Sequence, residues 1–536
     1  MENKSNDIRL FWACFISLIA TAFGFFVRGT LLQAWGEQFD LNQVQLGQIN
    51  GVGLWPFAIS IILFSLVIDK VGYGRAMCFA FVAHISYAII VICAPLMLAD
   101  PETASAAEIA QGKEMGYWML YIGNLVFALG NGTVEAAINP VVATMFSKEK
   151  TKWLNILHAG WPGGLVLAGL LIIAINTLNL EWVTWEYKVG LIFLPALIYG
   201  VMMLGCKFPV NERVAAGSSY YEMLKEFGGA GALIVVSLIT RELGGVFGLH
   251  VYGQIAVIVV LVGAFAAYVQ SFGRPMFIFL LLIMLPLATT ELGTDGWITS
   301  LMEPQMAAFN LAPEWVLIYT SFIMMILRFF AGSIVHRISP IGLLMVSSII
   351  AAVGLSFLSV SSGLMILLAA TVYGFGKTFF WPTMLGVVAE QFPKGGALTL
   401  NAAGGVGMLG VGVLGMPFIG LLQETTVTSE LKAEKPAIYE QVVMEDSGVF
   451  GAYEAVDPDK VQDLNEEDRE TVVTIEEAAK KGALFYMAGF PCLMLLCYFI
   501  LFVYFQTKGG YKAKVLVGHG ADDEKFTGGV EGPADA

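Results

Sequence analysis

Charge is what this sequence has least of. Only 13% of its 536 residues are Asp, Glu, Lys or Arg, 57% are hydrophobic, and mean hydropathy is +0.73. A soluble domain carries about 25% charged residues, so a water-soluble globular protein is excluded and a polytopic membrane protein takes its place. Histidine is scarce, with five residues. The six cysteines (Cys14, Cys78, Cys93, Cys206, Cys492, Cys497) fall in or beside apolar runs with no metal-ligand spacing. Neither a metal site nor a disulfide framework is expected. The net charge of −14 argues against a nucleic-acid partner. There is no Walker motif and no clustered nucleophile–base set. The chain therefore does not read as an enzyme, no cofactor is expected, and an ion gradient is left as the energy source.

What is present is apolar helix length. Stretches of about 20 apolar residues, enough to cross a bilayer core, recur near 9–30, 46–68, 76–98, 117–146, 156–177 and 187–206. Two follow near 229–247 and 252–271. Six more lie near 275–302, 313–335, 341–360, 363–388, 396–421 and 483–506. The first lacks a small-residue cleavage site and reads as a retained helix. The spacing predicts an all-α polytopic fold of about 14 transmembrane helices. Lys70, Arg75, Lys148, Lys150, Lys152, Lys207, Arg213, Lys225, Arg274, Arg337, Lys394 and Lys508 fall on one side. The positive-inside rule then places both termini in the cytoplasm of a cell (inner) membrane protein. The expected organisation is a six-helix bundle over 1–210, a linker and two extra helices over 211–273, and five helices over 274–422. An acidic outer loop over 423–482, a last helix over 483–507 and a tail over 508–536 complete it. The acidic loop is expected to be partly helical or disordered.

The chain repeats itself. Phe146 and Asn155 are nine apart, as are Phe392 and Asn401; in that register Leu154, Gly164 and Gly169 match Leu400, Gly410 and Gly415. Upstream, Gly132 matches Gly374 and Pro140 matches Pro382, which sets Glu135 opposite Lys377. "SLVIDKVGYGR" (65–75) and "GSIVHRISPIG" (332–342) echo each other between spans. Two like six-helix halves with the same in–out sense, separated by two inserted helices, form a parallel repeat. Alternating access about a midplane site needs such a repeat.

At Ser65–Arg75 the pattern S-x-x-x-D-K-x-G-x-G-R resembles the loop between helices two and three of the major facilitator superfamily, although that family usually has Gly at Ser65 and a basic residue at Gly74. The resemblance implies a cytoplasmic gate in which Asp69 caps a neighbouring helix and Lys70, Arg75 and Arg337 latch the inner side. "EAAINP" (135–140), "LNILHAGWPGG" (154–164) and "TELGTDGWI" (290–298) are similar to the fucose–glucose–galactose:proton symporter branch. That likeness implies a secondary transporter moving a small solute, expected to be a monosaccharide, together with a proton. One departure stands out: the first helix ("ATAFGFFVRGTLLQAW") carries Arg28 and no acid, where some members of the branch use a carboxylate in coupling. The two inserted helices resemble those of bacterial proton-coupled oligopeptide transporters.

Ionisable groups inside spans are rare and face a bundle interior or an aqueous cavity. Burial favours the neutral form of a carboxyl and a neighbouring cation favours the charged form. Glu135 is thus expected to carry a proton, or to pair with Lys377 or Arg28. Glu291 and Asp295, four apart, share a helical face, with Trp297 nearby as a stacking surface or as part of the aromatic belt. His158 is expected to relay protons or to be satisfied between helices. Asn139, Asn155 and Asn401 either grip solute hydroxyls or tie helices together, and Trp161 and Trp381 either stack on a sugar or pack the core. Arg328 is expected to snorkel at the inner end of its helix. Besides the solute and protons, the lipid bilayer is the expected partner and the chain is expected to be monomeric. Two alternatives remain open: an organic anion or sugar acid held by Arg28 and Lys377, and a membrane sensor that docks a partner through its acidic loop.

Overall fold

In a computed structural model, residues 2–100, 102–178, 183–295, 306, 311–312 and 314–516 are described. Among the described residues fourteen helices are numbered here in chain order. In the first half they are α1 (Ser5–Phe39), α2 (Val44–Val71), α3 (Tyr73–Ile92), α4 (Ala106–Met145), α5 (Lys150–Leu178) and α6 (Trp185–Met203). Then come α7 (Tyr220–Val246) and α8 (Val251–Val269). The second half holds α9 (Pro275–Gly293), α10 (Glu314–Phe329), α11 (Ala331–Val360), α12 (Met365–Lys377, resuming as Phe380–Gln391), α13 (Pro393–Glu434) and α14 (Glu466–Thr507). Twelve of these are long and apolar enough to cross a membrane. The other two, α10 and α12, fall short because each is interrupted. The break at Phe330 is slight (φ −93°, ψ −1°) and the sharp turn comes later, at Ser339 (φ 63°), so residues 331–338, numbered here with α11, continue the course of α10.

Local chemistry sets several of these boundaries. Ser105 with Glu108 caps α4, and Ser219 with Glu222 caps α7, each side chain bonding the other's backbone N–H. Gly72 turns the chain between α2 and α3 at φ 89°, a conformation that a side chain disfavours.

Within the first half α1 packs on α5 and α6, and α4 on α2 and α3; in the second, α11 packs on α12 and α14, and α9 on α13. The halves meet where α5 packs on α10 and α2 on α13. These two pairings exchange under the repeat. The inserted α8 packs on α7, and only 6% of its apolar window is buried, so it lies at the periphery.

The acidic segment is more ordered than its charge suggested. α13 runs on to Glu434, a helix follows at Pro436–Val442, and strands β1 (Val443–Gly448) and β2 (Gly451–Val456) pair antiparallel before the long helix Glu466–Met487. Val427, Leu431, Ile438, Val442, Val472, Ile475 and Ala479 form a separate apolar core. The end of the molecule carrying this domain is called here the acidic face, and the end carrying Lys70, Lys150 and Lys394 the basic face.

Candidate functional site

Glu135 lies on α4, 5% exposed, one helical turn before Asn139. At that spacing the two side chains share a face, and Asn139 Nδ2 donates to Glu135 Oε2 at 2.7 Å. Asn139 Oδ1 lies 3.0 Å from His158 Nε2 on α5. A carbonyl oxygen only accepts, so Nε2 must carry the proton.

Proline decides what happens next. A proline has no N–H, so it leaves the carbonyl four residues earlier without its helical donor. Pro162 frees the carbonyl of His158, Pro382 that of Thr378 and Pro140 that of Ala136. Arg328 on α10 takes the first two, donating from Nη1 to His158 O at 2.7 Å and from Nε to Thr378 O at 2.8 Å. Asn401 on α13 takes the third, donating to Ala136 O at 2.9 Å. The third arm of the guanidinium, Nη2, reaches Glu291 Oε1 at 2.7 Å, and Glu291 Oε2 accepts the backbone N–H of Trp381 at 2.9 Å. One chain of hydrogen bonds therefore runs from Glu135 to Trp381 and crosses from one half to the other at the Arg328–His158 contact.

Glu135, His158, Trp161, Glu291, Arg328 and Trp381 surround a cavity of about 30 Å³, closed further by Phe57, Ile61, Leu292 and Met408. It has room for one or two waters. Trp161 stacks on Phe57 with ring planes 14° apart and meets Phe25 at 5.8 Å, which gives the cavity an aromatic wall.

Glu135 bonds neither of the cations expected for it. Lys377, fully buried, pairs with Asp295 and lies over the Tyr373 ring. Arg28 does not line the cavity; its guanidinium carbon lies 5.1 Å from the Phe25 ring centroid. Asn155 donates to Thr383 Oγ1 at 3.1 Å and to Thr151 O at 2.8 Å, so both it and Asn401 join helices of opposite halves. Arg328 does not snorkel: it is 1% exposed and central. The residue's chain position near a basic loop misled, because the local break at Phe330 lengthens the helix beyond it. Trp297 lies outside the described residues.

On the basic face the halves are tied together. Thr151 N and Oγ1 donate to Glu390 at 3.0 and 2.6 Å, and Lys150 pairs with Glu212 while donating to Ala389 O at 3.2 Å. The helices touch because Gly386 has no side chain; a Cβ there would stand 2.4 Å from Thr151 Oγ1. A strap after α14 crosses this closure. Tyr511 Oη donates to Glu390 Oε2 at 2.7 Å, Lys514 N donates to Glu390 O at 2.8 Å, and Leu516 N donates to Glu212 Oε1 at 3.3 Å. Burial, with Glu390 beside it, pushes the Tyr511 hydroxyl well above its ordinary range and keeps it a donor. Of the expected gate residues, Asp69 accepts from Arg213 of the linker at 2.7 Å and Lys70 lies 5.3 Å from the Tyr220 ring. Arg75 and Arg337 are exposed. Sequence reasoning missed Lys150, Thr151, Glu212 and Glu390 as a cluster, and also Arg213. The cross-half bonds named here all lie at the cavity or toward the basic face.

No protein-family model and no curated protein matches the sequence. Solved structures do resemble it. The proton:xylose symporter XylE (E. coli), bound to 6-bromo-6-deoxy-D-glucose, is 12% identical over 93% of this chain and 96% of its own, with a TM-score of 0.58. The E. coli fucose:proton symporter FucP is 14% identical over 89% and 98%, TM-score 0.51. The human organic anion transporter MFSD10 is 11% identical over 92% and 99%, TM-score 0.54. At such identities the likeness is one of fold: a multi-pass membrane protein with the major facilitator architecture.

Proposed function

We propose that this chain, a membrane protein of the major facilitator fold, is a secondary transporter that moves a small polar solute by rocking its two halves about the cavity between Glu135 and Glu291. The observation that carries the reading is the hydrogen-bonded chain through Asn139, His158 and Arg328, which links a buried acid of one half to a buried ion pair of the other. Ionisable groups placed so, at the junction of repeated bundles, belong to transport pathways far more often than to static cores.

The preferred cargo is a neutral monosaccharide moved with a proton. Arg328 is balanced by Glu291, so the cavity is neutral when Glu135 is protonated and singly negative when it is not. Protonation of Glu135 then prepares a neutral cavity for a neutral polyol, with Trp161 and Trp381 as faces for its apolar side. Release on the basic face, after the Thr151–Glu390 and Lys150–Glu212 contacts open, lets the proton leave. By the positive-inside rule that face is cytoplasmic. The neighbours XylE and FucP, described as proton symporters of xylose and fucose, support this cargo. The neighbour described as an organic anion transporter keeps an anionic cargo in play. Such a cargo needs an unmatched cation in the cavity, whereas Arg328 faces Glu291 and Lys377 faces Asp295.

A thermal-shift screen over neutral sugars and sugar acids identifies the cargo class, and proteoliposomes loaded with the hit test the coupling. Glu135→Gln is expected to keep counterflow and to lose accumulation driven by a proton gradient. Undiminished accumulation in the mutant removes Glu135 from coupling.

A further inference from the structure

Arg28 is the one charged side chain of α1 buried in the heart of the first half, and the transport reading does not use it. It is 1% exposed, and neither Nε nor Nη1 has a hydrogen-bond partner among the described residues. Among the described residues no carboxylate pairs with it. Its surroundings are aromatic and close: the guanidinium carbon lies 5.1 Å from the Phe25 ring centroid, and a Cβ on Gly53 would stand 1.4 Å from Nη1. The guanidinium thus rests directly against Gly53, where a side chain would push it aside. A second buried donor on another helix is equally unmet. Tyr87 Oη on α3 has no hydrogen-bond partner among the described residues, lies within electrostatic reach of Arg28, and its ring packs 4.5 Å from Phe127.

Two unmet donors, one of them a fixed cation, call for an acceptor that carries negative charge. A buried lysine or carboxyl can escape the cost of burial by becoming neutral, but a guanidinium stays protonated. A facing ring compensates only part of a desolvated charge. The solute's own site is not the answer, because neither Arg28 nor Tyr87 lines the central cavity. We propose that Arg28 and Tyr87 form a buried site for a small monovalent anion of the halide class, inside the first half and separate from the solute path. The flush contact with Gly53 and the aromatic walls favour a monatomic ion over a carboxylate.

The test uses the full chain in detergent at constant ionic strength, with chloride replaced by gluconate and no solute present. The unfolding midpoint of the parent is expected to rise by about 2–4 °C once chloride exceeds its dissociation constant about tenfold. Arg28→Gln is expected to lose that rise, and Tyr87→Phe to need about tenfold more chloride for the same rise. Crystals grown in bromide are expected to show an anomalous peak beside Arg28 Nη1. Equal midpoints in chloride and gluconate, a chloride shift retained by Arg28→Gln, or bromide sites that exclude Arg28 would overturn the proposal. If Arg28→Gln does not fold, Tyr87→Phe and the bromide map still decide. No arm measures solute movement, so failure here leaves the transport reading untouched.

Discussion

Removing the Asn401 amide should be largely repaired by removing a proline. Pro140 leaves the Ala136 carbonyl, in a fully buried residue, without a helical donor, and Asn401 supplies one from the opposite half at 2.9 Å. Asn401→Ala deletes that donor and strands the carbonyl, which costs about 1–3 kcal/mol. If the bond exists only while the basic face is closed, the closed-to-open ratio falls about 5–150-fold. Pro140→Ala restores an N–H four residues after Ala136, so the helix can satisfy its own carbonyl. The double mutant should then lie closer to the parent than Asn401→Ala does. The assay is a double-mutant cycle read two ways: thermal unfolding, and the distance distribution between spin labels at Lys207→Cys and Ser333→Cys, exposed positions of the first and the second half. Effects that add to within about 0.5 kcal/mol would show that the two residues do not share this carbonyl, and the reasoning would fail.

Three further outcomes follow from the same geometry. Asp295→Asn should destabilise more than Lys377→Met, because the lysine is 0% exposed and its partner 22% exposed, so only the first change strands a fully buried charge. About 3–5 kcal/mol is expected for it in chemical denaturation, and a smaller loss than for Lys377→Met would contradict the pairing. Tyr511→Phe removes one donor from Glu390, and it should raise the alkylation rate of a cysteine placed at Thr383 about fivefold; an unchanged rate would mean the strap does not hold the basic face shut. Replacing 424–480 with a short linker removes the whole acidic domain with its core. A carrier should still move the solute found by the screen, whereas a sensor that docks partners through this domain should lose its function altogether.

The membrane architecture was legible because bilayer thickness writes itself into the sequence as apolar length, and because the duplication kept Gly132, Pro140 and Asn155 in register with Gly374, Pro382 and Asn401. Glu135 was legible for a related reason: an acid alone in an apolar run needs a polar neighbourhood. Partners were harder. The repeat set Glu135 opposite Lys377, but register says nothing about which side chain of α9 reaches across, and Asp295 claimed the lysine. Arg328 was misplaced because nearness to basic residues in the chain was taken for nearness to the interface. A signal for its true place was present in Pro162 and Pro382, each of which advertises a carbonyl in search of a donor. The acidic segment read from its charge as partly helical or disordered, and Val427 with Leu431, and Val472 with Ile475 and Ala479, already spaced out a helical apolar stripe.

The acidic domain has a consequence for whatever ion drives the cycle. Sixteen acidic and six basic residues fall within 423–482, so most of the chain's net negative charge of −14 is concentrated at one end. The turn at its hairpin tip borders an open groove of about 860 Å³ shared with α2, α4 and α7. Such a field enriches hydronium over a range of about 10 Å at 0.1 M salt. That groove therefore experiences a lower pH than the bathing solution, by an amount that low salt enlarges and concentrated salt erases.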